Sequence, residues 1–88
     1  MPTLSTFYGI LVRMNMEKGG RHHLPHIHAK YAGYEAVYDF EGNLIEGNLP
    51  KRQASYVVTW ILLREEDLKT NWHLIQEGQE FYRIEPLH

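Results

Sequence analysis

The first half of the chain carries the apolar pattern of β-strands. Residues 7–14 are rich in aromatic and β-branched side chains and show no helical period, which predicts one strand buried on both sides except around Arg13. Residues 15–25 contain two glycines and a proline, and this composition predicts a loop. The loop leads directly into the next apolar segment.

Residues 26–31 and 34–40 predict two strands joined at Ala32-Gly33, with a short return strand at residues 44–46. If the turn has two residues, the two paired strands have one apolar and one more polar face. The alternative is a longer loop, which would shift the pairing. The polar face of the two-residue hairpin carries three cross-strand pairs: His26–Asp39, His28–Val37 and Lys30–Glu35.

The second half of the chain changes to helical spacing. The apolar positions of the first helix recur at the i, i+3, i+4 spacing of an amphipathic helix: Ala54, Val57, Val58, Ile61 and Leu62. Pro50 suits its first turn, with Asn48 as an upstream cap. A second helix begins at the acidic run 65–67 and ends at Gly78. Residues 81–84 predict a final strand that pairs with a sheet edge.

These elements predict a single α+β domain over residues 1–88. A small antiparallel sheet is formed by the N-terminal strands together with the C-terminal strand. Two consecutive helices pack on one face of this sheet. The chain shows no internal repeat, low-complexity tract or linker, so we expect no second domain.

The composition limits the cellular compartment and the classes of binding partner that we expect for the chain. The chain has no cysteine, which fits a reducing cytoplasm, and no apolar run long enough to span a membrane. Its N-terminus lacks the charged and apolar regions of a signal peptide. The formal net charge is −2, so the chain has no overall basic footprint for nucleic acid. We therefore expect a cytoplasmic protein without a membrane segment.

The strongest chemical signal is a histidine cluster, in which four of the six histidines fall within residues 22–28. His22 and His23 belong to the glycine-rich loop, where we expect them to be solvated. His26 and His28 enter a strand, where side chains two residues apart project from the same face. Imidazole is a common metal ligand and a common general acid or base, so this pair marks the candidate site.

Several motifs along the chain resemble a prokaryotic family, the domain of unknown function 4160. They occur in one order: Pro2-Thr3, Phe7-Tyr8-Gly9-Ile10, Pro25-His26-Ile27-His28-Ala29, Tyr31, Gly33, Glu35-Ala36, Gly47-Asn48-Leu49-Pro50, Trp60 and Asn71-Trp72. The resemblance implies a small cytoplasmic protein whose partner is a second small protein encoded by an adjacent gene, as in toxin–antitoxin pairs. Leu24 stands where family members usually have a proline.

The first interpretation of the histidines is RNA cleavage by a toxin–antitoxin-like component. Such a reaction needs a general base, a general acid and a cation for the phosphorane charge. His26 and His28 would form the acid–base pair, with Arg13 and Lys30 facing the phosphate. The acidic net charge weakens the attraction for RNA and weighs against this interpretation.

A metal site is the second interpretation, and it uses the same two imidazoles. Zinc needs three or four ligands, so His23, Asp39 or the distant His73 would have to complete a site begun by His26 and His28. Alternatively, Asp39 accepts a hydrogen bond from a ligating imidazole and thereby orients it. Apart from such a divalent ion, the sequence predicts no cofactor.

The third interpretation is a non-catalytic, regulatory domain whose histidine-bearing face or aromatic residues bind a partner protein. Two helices joined near Arg64 also allow a helix-turn-helix. Lys69 is the only basic residue of the second helix, amid Glu65, Glu66 and Asp67, which is the wrong charge for a DNA-reading helix. RNA and protein therefore remain as candidate partners, and DNA is disfavoured.

Overall fold

The computed structural model describes residues 2–16 and 24–88 and shows an α+β fold. Over this part of the chain, five strands form one open antiparallel sheet in chain order, followed by two helices. The elements are β1 (Thr3–Phe7), β2 (Ile10–Arg13), β3 (His26–Tyr31), β4 (Tyr34–Asp39), β5 (Leu44–Asn48), α1 (Lys51–Leu63) and α2 (Glu65–Gln76). The predicted fold class is confirmed, and the predictions for His22 and His23 lie outside the described residues.

The prediction of one strand over residues 7–14 is wrong, because a tight turn divides this segment. Phe7 ends β1 and pairs with Ile10, the first residue of β2. Tyr8 and Gly9 between them have positive φ values of 49° and 78°. Two central residues with positive φ form the turn that suits the twist of a hairpin, and a bulky Tyr is a rare choice for the first of them. The sequence therefore gave little signal for this turn.

The predicted β3–β4 hairpin is confirmed in its register. His26 lies opposite Asp39, His28 opposite Val37 and Lys30 opposite Glu35. Ala32 has a positive φ of 52°, which lets the chain reverse within two residues. Because side chains alternate between faces, this register commits His26, His28 and Lys30 to one side of the sheet.

The two helices cover the other side. The core joins side chains of the sheet, chiefly Ile10, Val12, Ile27, Ala29 and Tyr38, with side chains of the helices, chiefly Val57, Trp60, Ile61, Leu68 and Ile75. Pro50 caps α1 without a side-chain hydrogen bond, so the predicted capping by Asn48 is wrong. The predicted stop at Gly78 is confirmed: this residue has a positive φ, and its N–H donates to Ile75 O.

The C-terminal strand predicted at residues 81–84 is not formed. One backbone hydrogen bond, from Ile84 N to Leu4 O, ties this segment to the β1 edge of the sheet. The buried side chain of Asn71 takes both backbone groups of Tyr82, donating to its carbonyl at 2.8 Å and accepting from its N–H at 3.0 Å. Those groups are therefore engaged by α2 and do not extend a β ladder.

No helix of the described segments is long and apolar enough to cross a membrane.

Candidate functional site

The side of the sheet facing away from the helices presents the predicted site residues in two cross-strand rows. In the first row, Arg13, His28, Val37 and Glu46 face one another across β2 to β5. In the second row, the sequence of neighbours is Leu11, Lys30, Glu35 and Asn48. We call these eight residues the histidine face.

His28 lies at the centre of the histidine face, beside a carboxylate. Its Nδ1 is 3.9 Å from Glu35 Oε2, and the two side chains are 19% and 58% exposed, respectively. Both residues line a shallow pocket that is completed by Val37, Glu46 and Gly47. The pocket thus offers a carboxylate that is freely accessible and an imidazole that turns Nδ1 toward it, while Nε2 of His28 is buried.

Glu35 is a candidate site residue that the sequence analysis missed. The predicted register places it opposite Lys30, which is confirmed. The same alternation that puts Lys30 on the face of His28 also puts Glu35 there, diagonally across from His28. The hairpin register contains the signal for Glu35, in the diagonal neighbours of His28 rather than in its direct cross-strand partner.

Arg13 and Lys30 flank His28, as predicted. Arg13 is half-buried and occupies the position of β2 that directly opposes His28. Lys30 is exposed and lies two residues further along β3. The structure therefore brings three of the four predicted site residues onto one surface, with a cation on either side of the imidazole.

His26 lies at the buried end of the same strand face. It is only 1% exposed, and its Nδ1 lies 2.7 Å from Leu24 O. Because a carbonyl oxygen only accepts hydrogen bonds, Nδ1 carries the proton and donates it. The ring centroid is 5.3 Å from that of His28 and 5.4 Å from that of Trp72. His26 is thus held between α2 and the imidazole of the pocket.

The carboxylate of Asp39 organises the turn between β4 and β5. Oδ1 accepts hydrogen bonds from the N–H groups of Glu41 and Asn43, and Oδ2 accepts one from Asn43 Nδ2. Partial burial alone would raise the pKa of Asp39, but these hydrogen bonds outweigh burial and lower the pKa below its ordinary value. The predicted role of Asp39 in orienting an imidazole stays a prediction beside this structural one.

For a metal ion, the described residues offer His26 and His28 but no group of three or more potential ligands. His73 is exposed on α2, and both oxygens of Asp39 are engaged in its turn. His23, the third ligand considered, lies outside the described residues. A zinc site at His26 and His28 therefore stays a prediction.

A family model matches most of the chain. The model of the family described as domain of unknown function (DUF4160) matches residues 9–73. No curated protein and no solved structure matches the chain. The matched range runs from the β1–β2 turn into α2 and includes all four predicted site residues.

Proposed function

The chain belongs to the DUF4160 family, and we propose that it is a toxin–antitoxin-like component that cleaves RNA at the pocket around His28. The observation that carries this proposal is the placement of His28 between Arg13, its direct cross-strand neighbour, and the carboxylate of Glu35 at 3.9 Å. An acid, a base and a cation are the groups that metal-independent RNA cleavage requires. We place the activity in the prokaryotic cytoplasm, in keeping with a cysteine-free sequence.

The reaction divides its two proton transfers between Glu35 and His28. Glu35 accepts the proton of the ribose 2′-hydroxyl, and the 2′-oxygen forms a bond to phosphorus. The bond from phosphorus to the 5′-oxygen breaks, and the imidazolium of His28 donates a proton to that oxygen from Nδ1, because Nε2 is buried. Arg13 and Lys30 stabilise the charge on the non-bridging oxygens. The products are a 2′,3′-cyclic phosphate and a 5′-hydroxyl, so the reaction balances without a cofactor.

His26 supports this centre through its packing. The sequence analysis paired His26 with His28 as acid and base, but a ring that is 1% exposed is poorly placed to exchange protons with RNA. Its contact with Trp72 on one side and His28 on the other fixes the position of the second imidazole. In the proposal, His26 is therefore a positioning residue, and Glu35 takes its place as the base.

Expression in a bacterial host tests the proposed function. Induction of the wild-type chain should arrest growth and degrade cellular RNA, and H28A should abolish both effects at equal protein level. His73 is exposed on α2, away from the pocket, so H73A is the matched control and should behave as wild type. Normal growth and intact RNA on induction of the wild type would contradict the proposal.

A non-catalytic role in binding a partner protein is the second candidate. Its supporting observation is apolar surface: Leu44 on β5, and Leu62 and Leu63 at the end of α1, are each more than half exposed. Exposed leucines near an edge strand are typical of a protein interface. Co-expression with the product of the adjacent gene tests it, because L62E should then abolish co-purification while the variant folds to the same extent by circular dichroism.

A further inference from the structure

Four tyrosines gather at the end of the sheet where the β1–β2 and β3–β4 hairpins turn. The ring centroids of Tyr8 and Tyr56 are 4.9 Å apart, and Tyr31 pairs across the hairpin with Tyr34. The two turns approach each other closely at Gly9, because a β-carbon at this position would lie 3.4 Å from the Tyr31 ring. We call the four tyrosines the tyrosine end; none of them takes part in the proposed cleavage.

Tyr8 holds its ring outward at a cost in backbone energy. Its φ of 49° lies in the left-handed region, which asparagine and glycine adopt readily and bulky side chains rarely do. The side chain is nevertheless 53% exposed, so burial does not explain the choice of tyrosine. Unfavourable backbone conformations of this kind cluster at binding sites. The exposed ring of Tyr8 is therefore a candidate contact for a ligand.

The charges around the tyrosine end favour a polyanion. Arg52 precedes Tyr56 by one turn of α1, which places both side chains on the same side of the helix. Arg52 and its neighbour Lys51 are exposed, and neither forms an ion pair within residues 2–16 and 24–88. Lys30 precedes Tyr31 in β3, but its side chain lies on the histidine face opposite Glu35, so Lys51 and Arg52 are the cations considered on the helix side. Cations interleaved with exposed rings are the combination that binds single-stranded nucleic acid.

We propose that the exposed rings of the tyrosine end, Tyr8 and Tyr34, bind the bases of single-stranded RNA by stacking, at the hairpin end of the sheet beyond the cleavage pocket. This inference rests on the proposed function, because RNA is the ligand in both. Tyr31 lies three residues beyond His28 along β3, which is roughly 10 Å at the rise of an antiparallel strand, a length that a few nucleotides cover. Its side chain packs on the core side of the sheet, so a bound strand passes around the hairpin end to reach the pocket. Stacking on tyrosine accepts any base, so the site selects unpaired strands rather than a sequence.

Binding to a fluorescein-labelled 2′-O-methyl oligouridine tests this inference separately from cleavage, since the probe has no free 2′-hydroxyl to react. Y8N keeps a residue suited to the turn and should weaken binding by about tenfold. Y8F retains the ring and should bind within about twofold of wild type. A duplex of the same length should bind the wild type less tightly than the single strand.

Equal binding by wild type and Y8N would overturn the inference, as would a wild type that does not bind the single strand. Loss of self-association in Y8N with unchanged RNA binding would overturn it in favour of a protein interface. The proposed function is tested separately, by comparing the cleavage of unmodified oligouridine by wild type with its cleavage by H28A. Y8N should raise the RNA concentration needed for half-maximal cleavage, because its defect lies in binding.

Discussion

Arg13 and His28 occupy directly opposed positions on β2 and β3, so a guanidinium and an imidazole share one row of an open sheet face. Neither strand alone contains this arrangement, because fourteen residues of chain separate Arg13 from His28. The carboxylate of Glu35 adds a third group at 3.9 Å from the imidazole. The account of function depends on these three side chains acting together.

Glu35 is the residue whose role is tested most sharply by a conservative change. E35Q keeps the size and hydrogen-bonding capacity of an exposed side chain but removes the base, so RNA cleavage should fall by about a hundredfold or more. The free energy of unfolding should change by less than about 0.5 kcal/mol. Cleavage rates at saturating RNA provide the measurement. E77Q, at the exposed end of α2, is the control and should cleave normally.

His26 is predicted to contribute mainly to stability. H26A removes a ring that is 1% exposed, together with its hydrogen bond to Leu24 O and its contact with Trp72. The free energy of unfolding should fall by about 2 kcal/mol, measured by urea denaturation. H73A at an exposed position should leave it within about 0.5 kcal/mol of wild type. A fully stable H26A would show that the contacts of this ring do not matter to the fold.

The sequence predicted the hairpin that carries the site better than the surface that completes it. The register of β3 and β4 followed from matched faces and a short turn. The β1–β2 turn did not follow from the sequence, because Tyr8 adopts a positive φ that tyrosine rarely adopts. The prediction of a final strand was wrong for a different reason. The side chain of Asn71, on α2, forms hydrogen bonds with both backbone groups of Tyr82, and no local sequence pattern reveals such a long-range contact. Burial of His26 likewise depends on Trp72 of α2.

Asp39 should make stability depend on pH at the acid end. Its pKa is lowered in the folded protein, so its contribution is complete above the ordinary value of 3.8 and is lost as the pH falls through the folded value. D39A removes the three hydrogen bonds of the turn and should cost about 1 kcal/mol at neutral pH. The difference from wild type should vanish in strong acid.

Chemical denaturation at a series of pH values measures this difference. E41A is the matched control, because the bond from residue 41 to Asp39 comes from its backbone N–H and survives the substitution. A gap between wild type and D39A that persists unchanged in strong acid would show that the carboxylate charge is not responsible.

Chelation separates the proposed chemistry from the zinc alternative. Glu35 and His28 transfer protons without a metal, so cleavage of RNA should persist in excess EDTA on untagged protein. If cleavage were lost in EDTA and restored by Zn²⁺, the site formed by His26 and His28 would be a metal site instead. Elemental analysis of the untagged protein gives an independent reading, since a resident ion would appear in stoichiometric amount.

The most direct test of the central claim is the chemistry of the RNA ends that the purified protein produces. Wild type and H73A should convert a single-stranded oligoribonucleotide into fragments with 2′,3′-cyclic phosphate and 5′-hydroxyl ends, resolved by mass spectrometry. H28A, folded to the same extent by circular dichroism, should produce them at least about a hundredfold more slowly. Intact RNA with wild type, or equal cleavage by H28A, would contradict the claim.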